Sequence, residues 1–299
     1  MADAASTRPG RADLRVLDPP QPAHRAGPRL LPDRRPSGIR HRTGEPSLLH
    51  TLFYCHSGTS VATLVSTGGG AQQDRVVGGM QQLAERLADV LDNRVRLGQP
   101  VRGIVQDGAG VRVHADGESY SAQRAIVAAP PALAARLSYA PALPADRDQL
   151  VQRMPHGSVI KCHAVYDEPF WRAAGLRGEV ASDTGPVKVV FDATPPAAER
   201  HTGAGAGSRP TGPGVLLGFA EGREAIELAR LDASERQQQV LSSLARFVGP
   251  RALEPAAYLE LDWSAEEWTR GCYGAHLPRL ADRVADREAV SPSHVLSWG

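Results

Sequence analysis

The segment Ser158–Tyr166 constrains this chain more than any other. Its residues alternate over nine positions, so Val159, Lys161, His163 and Val165 share one face of a strand while Ile160, Cys162, Ala164 and Tyr166 share the other. A strand this apolar predicts a sheet with a covered core face. Lys161 stands inside it, where desolvation would disfavour its charged form. A lysine in that place can hold a water or poise a cofactor, or it can lie on a solvated strand face. Spacing alone leaves both open. Only two lysines occur among 34 basic residues, Lys161 and Lys188.

Further strands are expected at Arg94–Leu97, Val101–Gln106, Val111–Ala115, Ala125–Ala129, Pro186–Phe191, Gly214–Phe219 and Tyr258–Trp263. Asp107-Gly108 and Asp116-Gly117 punctuate the first group into a small antiparallel meander. Helices are expected from Ser47 toward Leu64, after Gly78-Gly79, after Pro130-Pro131 and after Asp232. In the second of these, Leu83, Leu87, Val90 and Leu91 make one apolar stripe. Asp232 and Glu235 have capping-box spacing, and the helix they open directs Val240, Leu241, Leu244, Phe247 and Val248 inward. The mixture predicts an α+β substrate-type domain beside a piece of a larger α/β sheet.

Three segments lack any such period. Residues 1–46 hold nine arginines and eight prolines with no aromatic residue, which predicts a disordered head. Glu199–Pro213 is rich in Gly, Ala and Pro and reads as a surface excursion, and the tail from Arg279 again loses periodicity.

Several function classes are disfavoured. A net charge of +1 argues against nucleic-acid or membrane-surface binding driven by bulk charge. No zinc-type His/Cys spacing, P-loop or G-x-S-x-G elbow occurs, so no metal site is expected. Cys55, Cys162 and Cys272 are too few for a disulfide framework, no apolar run reaches membrane-spanning length, and a cytoplasmic location is expected. Gly203–Gly207 superficially matches a dinucleotide loop but follows no strand and opens no periodic helix. Tyr258, Trp263, Trp268 and Tyr273 place four of fifteen aromatic residues within sixteen positions. Such a cluster either walls a pocket that takes an amine through its π faces or packs a core.

Read in order, a series of segments resembles the flavin-containing monoamine oxidase family. They are Gly69-Gly70-Ala71-Gln72-Gln73-Asp74-Arg75-Val76-Val77-Gly78-Gly79, Leu97-Gly98-Gln99-Pro100-Val101 and Ala128-Ala129-Pro130-Pro131. Arg153-Met154-Pro155-His156-Gly157-Ser158-Val159-Ile160-Lys161-Cys162 is very similar to the family's R-x-P-x-G-S-V-I-K stretch. Glu168-Pro169-Phe170-Trp171-Arg172 and the run from Asp262-Trp263 to Arg270-Gly271-Cys272-Tyr273 follow at family spacing. Together they cover roughly residues 46–278.

The resemblance implies an FAD-dependent amine oxidase with a two-domain, FAD-linked reductase-type fold. It implies Lys161 beside flavin N5 and Tyr273 on the aromatic cage, both as catalytic residues. Val101, Trp263 and Cys272 fall on cofactor-binding positions, and Cys272 matches the site where some members tether FAD. Phe219, Gln72, Leu64, Val189 and Phe191 fall on substrate-cavity positions. The implied reaction is oxidation of a small primary amine or polyamine by oxygen to an aldehyde, with release of hydrogen peroxide. The oligomeric state is not legible.

The implied domains are a head (1–46), two parts of a substrate domain (47–76 and 151–265), part of an FAD-binding domain (77–150) and the start of a C-terminal FAD-binding segment with an atypical tail (266–299). The family's N-terminal Rossmann βαβ unit has no counterpart, and Arg279–Gly299 does not match the family's closing flavin-binding segment. A partial fold, truncated at both ends, is therefore expected. An inactive remnant or a protein-binding fragment is the alternative to a working oxidase.

Overall fold

The computed structural model describes residues 47–195 and 212–278. The Arg/Pro-rich head, residues 199–211 of the Gly/Ala/Pro excursion and the tail from Arg279 lie outside the described residues. The chain divides into two units; among the described residues one holds 55–100, and the other holds 47–54 with everything from 101 onward.

Helix α1 (Leu48–Ser57) opens the described chain. Helix α2 (Val61–Val65) follows, with the Ser60 hydroxyl accepting the Thr63 N–H at 3.0 Å. Helix α3 (Gln81–Leu91) forms where its apolar period predicts. Among the described residues nothing covers the outer part of its stripe, and Leu87 and Val90 are strongly exposed. Periodicity specifies a face but not what lies against it. The expected strand Arg94–Leu97 does not form. Arg94 is taken up in a 3-10 turn, Asp92–Arg94, closed by the Val95 N–H donating to the Asp92 carbonyl.

In the larger unit, β1 (Val101–Asp107), β2 (Gly110–Ala115) and β3 (Ser119–Ala122) form the expected meander. The Asp107 carboxylate accepts the Ala109 N–H at 2.8 Å and shapes the first turn. Helix α4 (Pro131–Ala134) has proline at its first position, and β4 (Ser138–Ala140) then joins β1 in parallel. The sheet order is β3-β2-β1-β4. Ala125–Ala129 forms no strand, and Ile126 is exposed. Its small apolar residues have strand character, but among the described residues they have no ladder partner. Helix α5 (Ala145–Gln152) leads to the second sheet.

That sheet contains β5 (Val159–Tyr166), then, past α6 (Phe170–Ala173), β6 (Val180–Ala181), β7 (Val189–Asp192) and β8 (Gly214–Glu221). Helices α7 (Arg223–Leu228) and α8 (Ala233–Val248) precede the last strand, β9 (Ala257–Asp262). The order is β6-β7-β8-β5-β9, with every pair antiparallel. Asp232 caps α8 by accepting the Glu235 N–H at 2.9 Å. Val240, Leu241, Leu244 and Val248 of α8 are buried in one core with Ile160, Cys162, Ala164 and Tyr166 of β5. The expected inward face is thus present, with Phe247 only partly buried. Covering one face of β5 in this way commits Lys161 to the other.

Candidate active site

Antiparallel register sets the site. Lys161 is opposite Phe219 on β8 and Leu261 on β9, and Phe219 is opposite Val189 on β7. Directly paired residues project to the same side of a sheet. The row Val189–Phe219–Lys161–Leu261 therefore crosses four strands on the face turned away from α8. The neighbouring row is Phe191–Leu217–His163–Leu259. The Phe191 and Phe219 rings meet edge to face, 5.6 Å between centres.

Two segments close the site from one end. The Trp263 N–H donates to the Val159 carbonyl at 3.1 Å, extending the β9 pairing by a residue. Further on, the Cys272 N–H donates to the Gly157 carbonyl at 2.9 Å, and His156 forms a β-bridge with Ala275. Gly271 makes this approach possible. Its φ is +141°, and a Cβ there would sit 2.6 Å from the Gly157 carbonyl oxygen and clash with His156 Cβ. Any side chain would push the Cys272-Tyr273 pair off the strand entrance.

The result is a lysine among three rings. Lys161 Nζ is 5.6 Å from the Phe219 ring centre, 5.6 Å from Trp263 and 5.5 Å from Tyr273. The Phe219 and Tyr273 rings are 6.2 Å apart. Among the described residues no carboxylate lies within ion-pair range of Lys161, whereas Lys188 pairs with Glu224. The two lysines thus play different parts. Lys188 balances a neighbouring charge, and Lys161 offers its head to the rings and to whatever enters between them.

The electrostatics keep neighbouring groups neutral. Burial, followed by the charge and hydrogen bond of Glu221, pushes the Tyr273 phenol well above its ordinary value. Burial also raises the Cys272 thiol; the Lys161 charge opposes that shift and Glu221 adds to it. His163 is lowered by burial and then by Lys161. The Trp263 indole N–H is buried with no acceptor among the described residues.

The structure brings Lys161, Tyr273, Trp263, Cys272, Phe219, Val189 and Phe191 into one neighbourhood. Val101 is placed elsewhere, at the start of β1 opposite Ala115. Leu64 and Gln72 belong to the smaller unit, where the Gln72 amide donates to the Leu64 carbonyl at 3.2 Å. Glu221 went unread in the sequence. It is 3% exposed and accepts the Tyr273 hydroxyl at 2.7 Å. A signal for it existed: strand alternation puts Glu221 on the same side as Phe219, and it is a carboxylate ending an otherwise apolar run.

Among the described residues, no group of three or more His, Cys, Asp or Glu could hold a metal ion, and no helix is long and apolar enough to cross a membrane. The donor set does suit a flat, polar-edged ring. It offers an orphan indole N–H, a lysine head and aromatic walls, all at one end of a sheet.

Known proteins resemble this chain over most of its length. A model of the family "Flavin containing amine oxidoreductase" matches residues 15–292. A Dictyostelium discoideum protein described as "Probable flavin-containing monoamine oxidase A" is 39% identical over 77% of this chain and 48% of its own length. Flavin-containing amine oxidase B of Cavia porcellus is 36% identical over 79% of this chain and 44% of its own. Among solved structures, putrescine oxidase bound to putrescine superposes with a TM-score of 0.71 and 37% identity, covering 80% of this chain and 51% of that one. Cyclohexylamine oxidase from Brevibacterium oxydans IH-35A gives a TM-score of 0.70 at 29% identity, covering 78% and 49%. The chain spans about half the length of these relatives.

Proposed function

The chain belongs to the flavin-containing amine oxidoreductase family, and on that premise we propose that the Lys161 site takes an FAD ring and a small amine. The observation that carries this reading is the placement of Lys161 Nζ at 5.5–5.6 Å from Phe219, Trp263 and Tyr273. The chemistry supplied by a bound flavin is hydride uptake from the amine α-carbon and its discharge to oxygen as hydrogen peroxide.

The chain's own residues do the rest. Tyr273 forms one wall for the amine, Phe219 lines the cavity beside it, and together they exclude bulk water. Lys161 holds a water at Nζ beside the reacting centre. That water is in place to hydrolyse the imine to an aldehyde. Trp263 would offer the cofactor ring its indole N–H, which has no acceptor among the described residues. Val189 and Phe191 of β7 shape the cavity. Val101 would contact the cofactor on its adenine side. Cys272 is the position for a thioether tether. The cage suits primary amines and polyamines as classes.

The test is direct. Purified chain should carry or take up FAD, with the visible flavin bands, and should then release peroxide when an amine is added. Protein that stays colourless in excess FAD would refute the reading. The exposed stripe of α3 favours a second reading, a protein-binding fragment without catalysis. That reading predicts colourless protein and a stable complex with another polypeptide.

A further inference from the structure

Packing holds Tyr273 only in part: its phenol end is buried against Glu221 while the rest of the residue is open. Its residue surface is 45% exposed, and its chain segment is anchored through main-chain contacts of its neighbours Cys272 and Ala275. Those contacts fix where the backbone runs but leave the ring free to turn about its side-chain torsions. The phenol end meets a firmer partner. Glu221 lies at the end of β8, opposite Val159, in the ladder that also pairs Phe219 with Lys161. It is one of the few charged side chains buried among the described residues. A buried carboxylate is costly unless it is bonded, and a bond to a charged acceptor is stronger than one between neutral groups.

The geometry points to Glu221 as a positioning residue: its carboxylate holds the Tyr273 hydroxyl and so sets the ring against Phe219 and Lys161. Glu221 acts through Tyr273 and contacts no reacting atom. The catalytic consequence rests on the cage reading proposed above; the ordering of the ring does not. Strand β8 thereby contributes twice to the site, Phe219 directly and Glu221 through the ring it steadies.

The experiment uses the full chain labelled with 3-fluorotyrosine, without added flavin. Tyr273→Phe identifies the Tyr273 line among the six tyrosines in the ¹⁹F NMR spectrum. Wild type should give one narrow line. Glu221→Leu should broaden or split it, and Glu221→Gln, which keeps an acceptor, should restore the narrow line. Both variants should let the phenol ionise at lower pH than wild type, because the opposing negative charge is gone. If Glu221→Leu does not fold, Glu221→Gln and the wild-type pH titration decide. A Tyr273 line unaltered in width and titration by loss of the carboxylate overturns the proposal.

With FAD and an amine, Glu221→Leu and Tyr273→Phe should each lower kcat/KM about tenfold, and the double variant should lose little more. Fully additive losses would show that Glu221 acts independently and would overturn the positioning role. A wild-type chain that oxidises no amine would instead refute the functional reading and leave the NMR result to decide the ordering of the ring.

Discussion

Lys161 and Phe219 are direct partners across the β5–β8 ladder, with Lys161 Nζ 5.6 Å from the centre of the Phe219 ring. The pairing follows from register: a slip of one residue would send Lys161 into the core under α8 and turn Ile160 outward. The strand therefore cannot shift without losing both core and site. This coupling makes the site testable by single substitutions that leave the fold intact.

Lys161→Met keeps the length and apolar stem of the side chain and removes its head. Amine-dependent peroxide release by FAD-loaded protein should fall on the order of a hundredfold, with the melting temperature nearly unchanged. A wild-type rate in this variant would remove Lys161 from the reaction.

Phe219 is buried and paired, so Phe219→Leu is the informative change because it keeps apolar volume and discards the π face. The neutral amine would lose its apolar contact with the ring face, worth about 0.8 kcal/mol for a CH2-sized patch, so KM for the amine should rise about fourfold. Steady-state kinetics would read the effect. No change in KM would show that the substrate does not rest on this ring.

The cysteines should separate by pH. Burial raises the Cys272 thiol and pushes Cys162 up to about 12. Only the thiolate alkylates, so native Cys272 should label slowly with iodoacetamide near neutral pH and faster as the pH climbs, while Cys162 stays unmodified. Lys161 lowers the Cys272 value, so Lys161→Met should slow labelling further. Mass spectrometry of peptides would score each site; faster labelling in that variant would contradict the assigned electrostatics. If flavin is bound, its free release on denaturation would exclude a bond to Cys272.

Asp192 ties β7 to α6. Its carboxylate accepts from Trp171 Nε1 at 3.0 Å, Arg172 Nε at 2.8 Å and the Thr194 N–H at 2.9 Å. Burial alone would raise this acid, but the hydrogen bonds from Arg172, Thr194 and Trp171 outweigh it and hold the carboxyl below its ordinary value of 3.8. A depressed folded value contributes stability that is fully present above the unfolded value and is lost as the pH falls through the folded one. Thermal melts should therefore show this contribution vanishing below about pH 4. Asp192→Asn should cost about 1–3 kcal/mol at neutral pH. If its difference from wild type persisted undiminished in acid, the linkage would be wrong.

The alternation of Ser158–Tyr166 already separated the two faces of β5, and the residues around Lys161, Cys272 and Tyr273 already carried the family resemblance. The α8 cap was equally legible, because Asp232 and Glu235 lie one turn apart and their contact is local. Arg94–Leu97 and Ala125–Ala129 were misread because a strand exists only with a ladder partner, and partners are not a local property. Leu87 and Val90 on α3 teach the same lesson for helices: their period was correct, while their cover was not theirs to specify.

The sequence by itself determined the alternation, the caps, the glycine at position 271 and the kinds of side chain available for chemistry, since each depends on neighbours within a few residues. Only the tertiary structure decided that Lys161 meets Phe219, Trp263 and Tyr273, and that Glu221 grips the Tyr273 phenol. Those contacts join residues up to 112 positions apart, and such distant pairs are selected by the register of a closed ladder and the burial it allows, which no local pattern encodes.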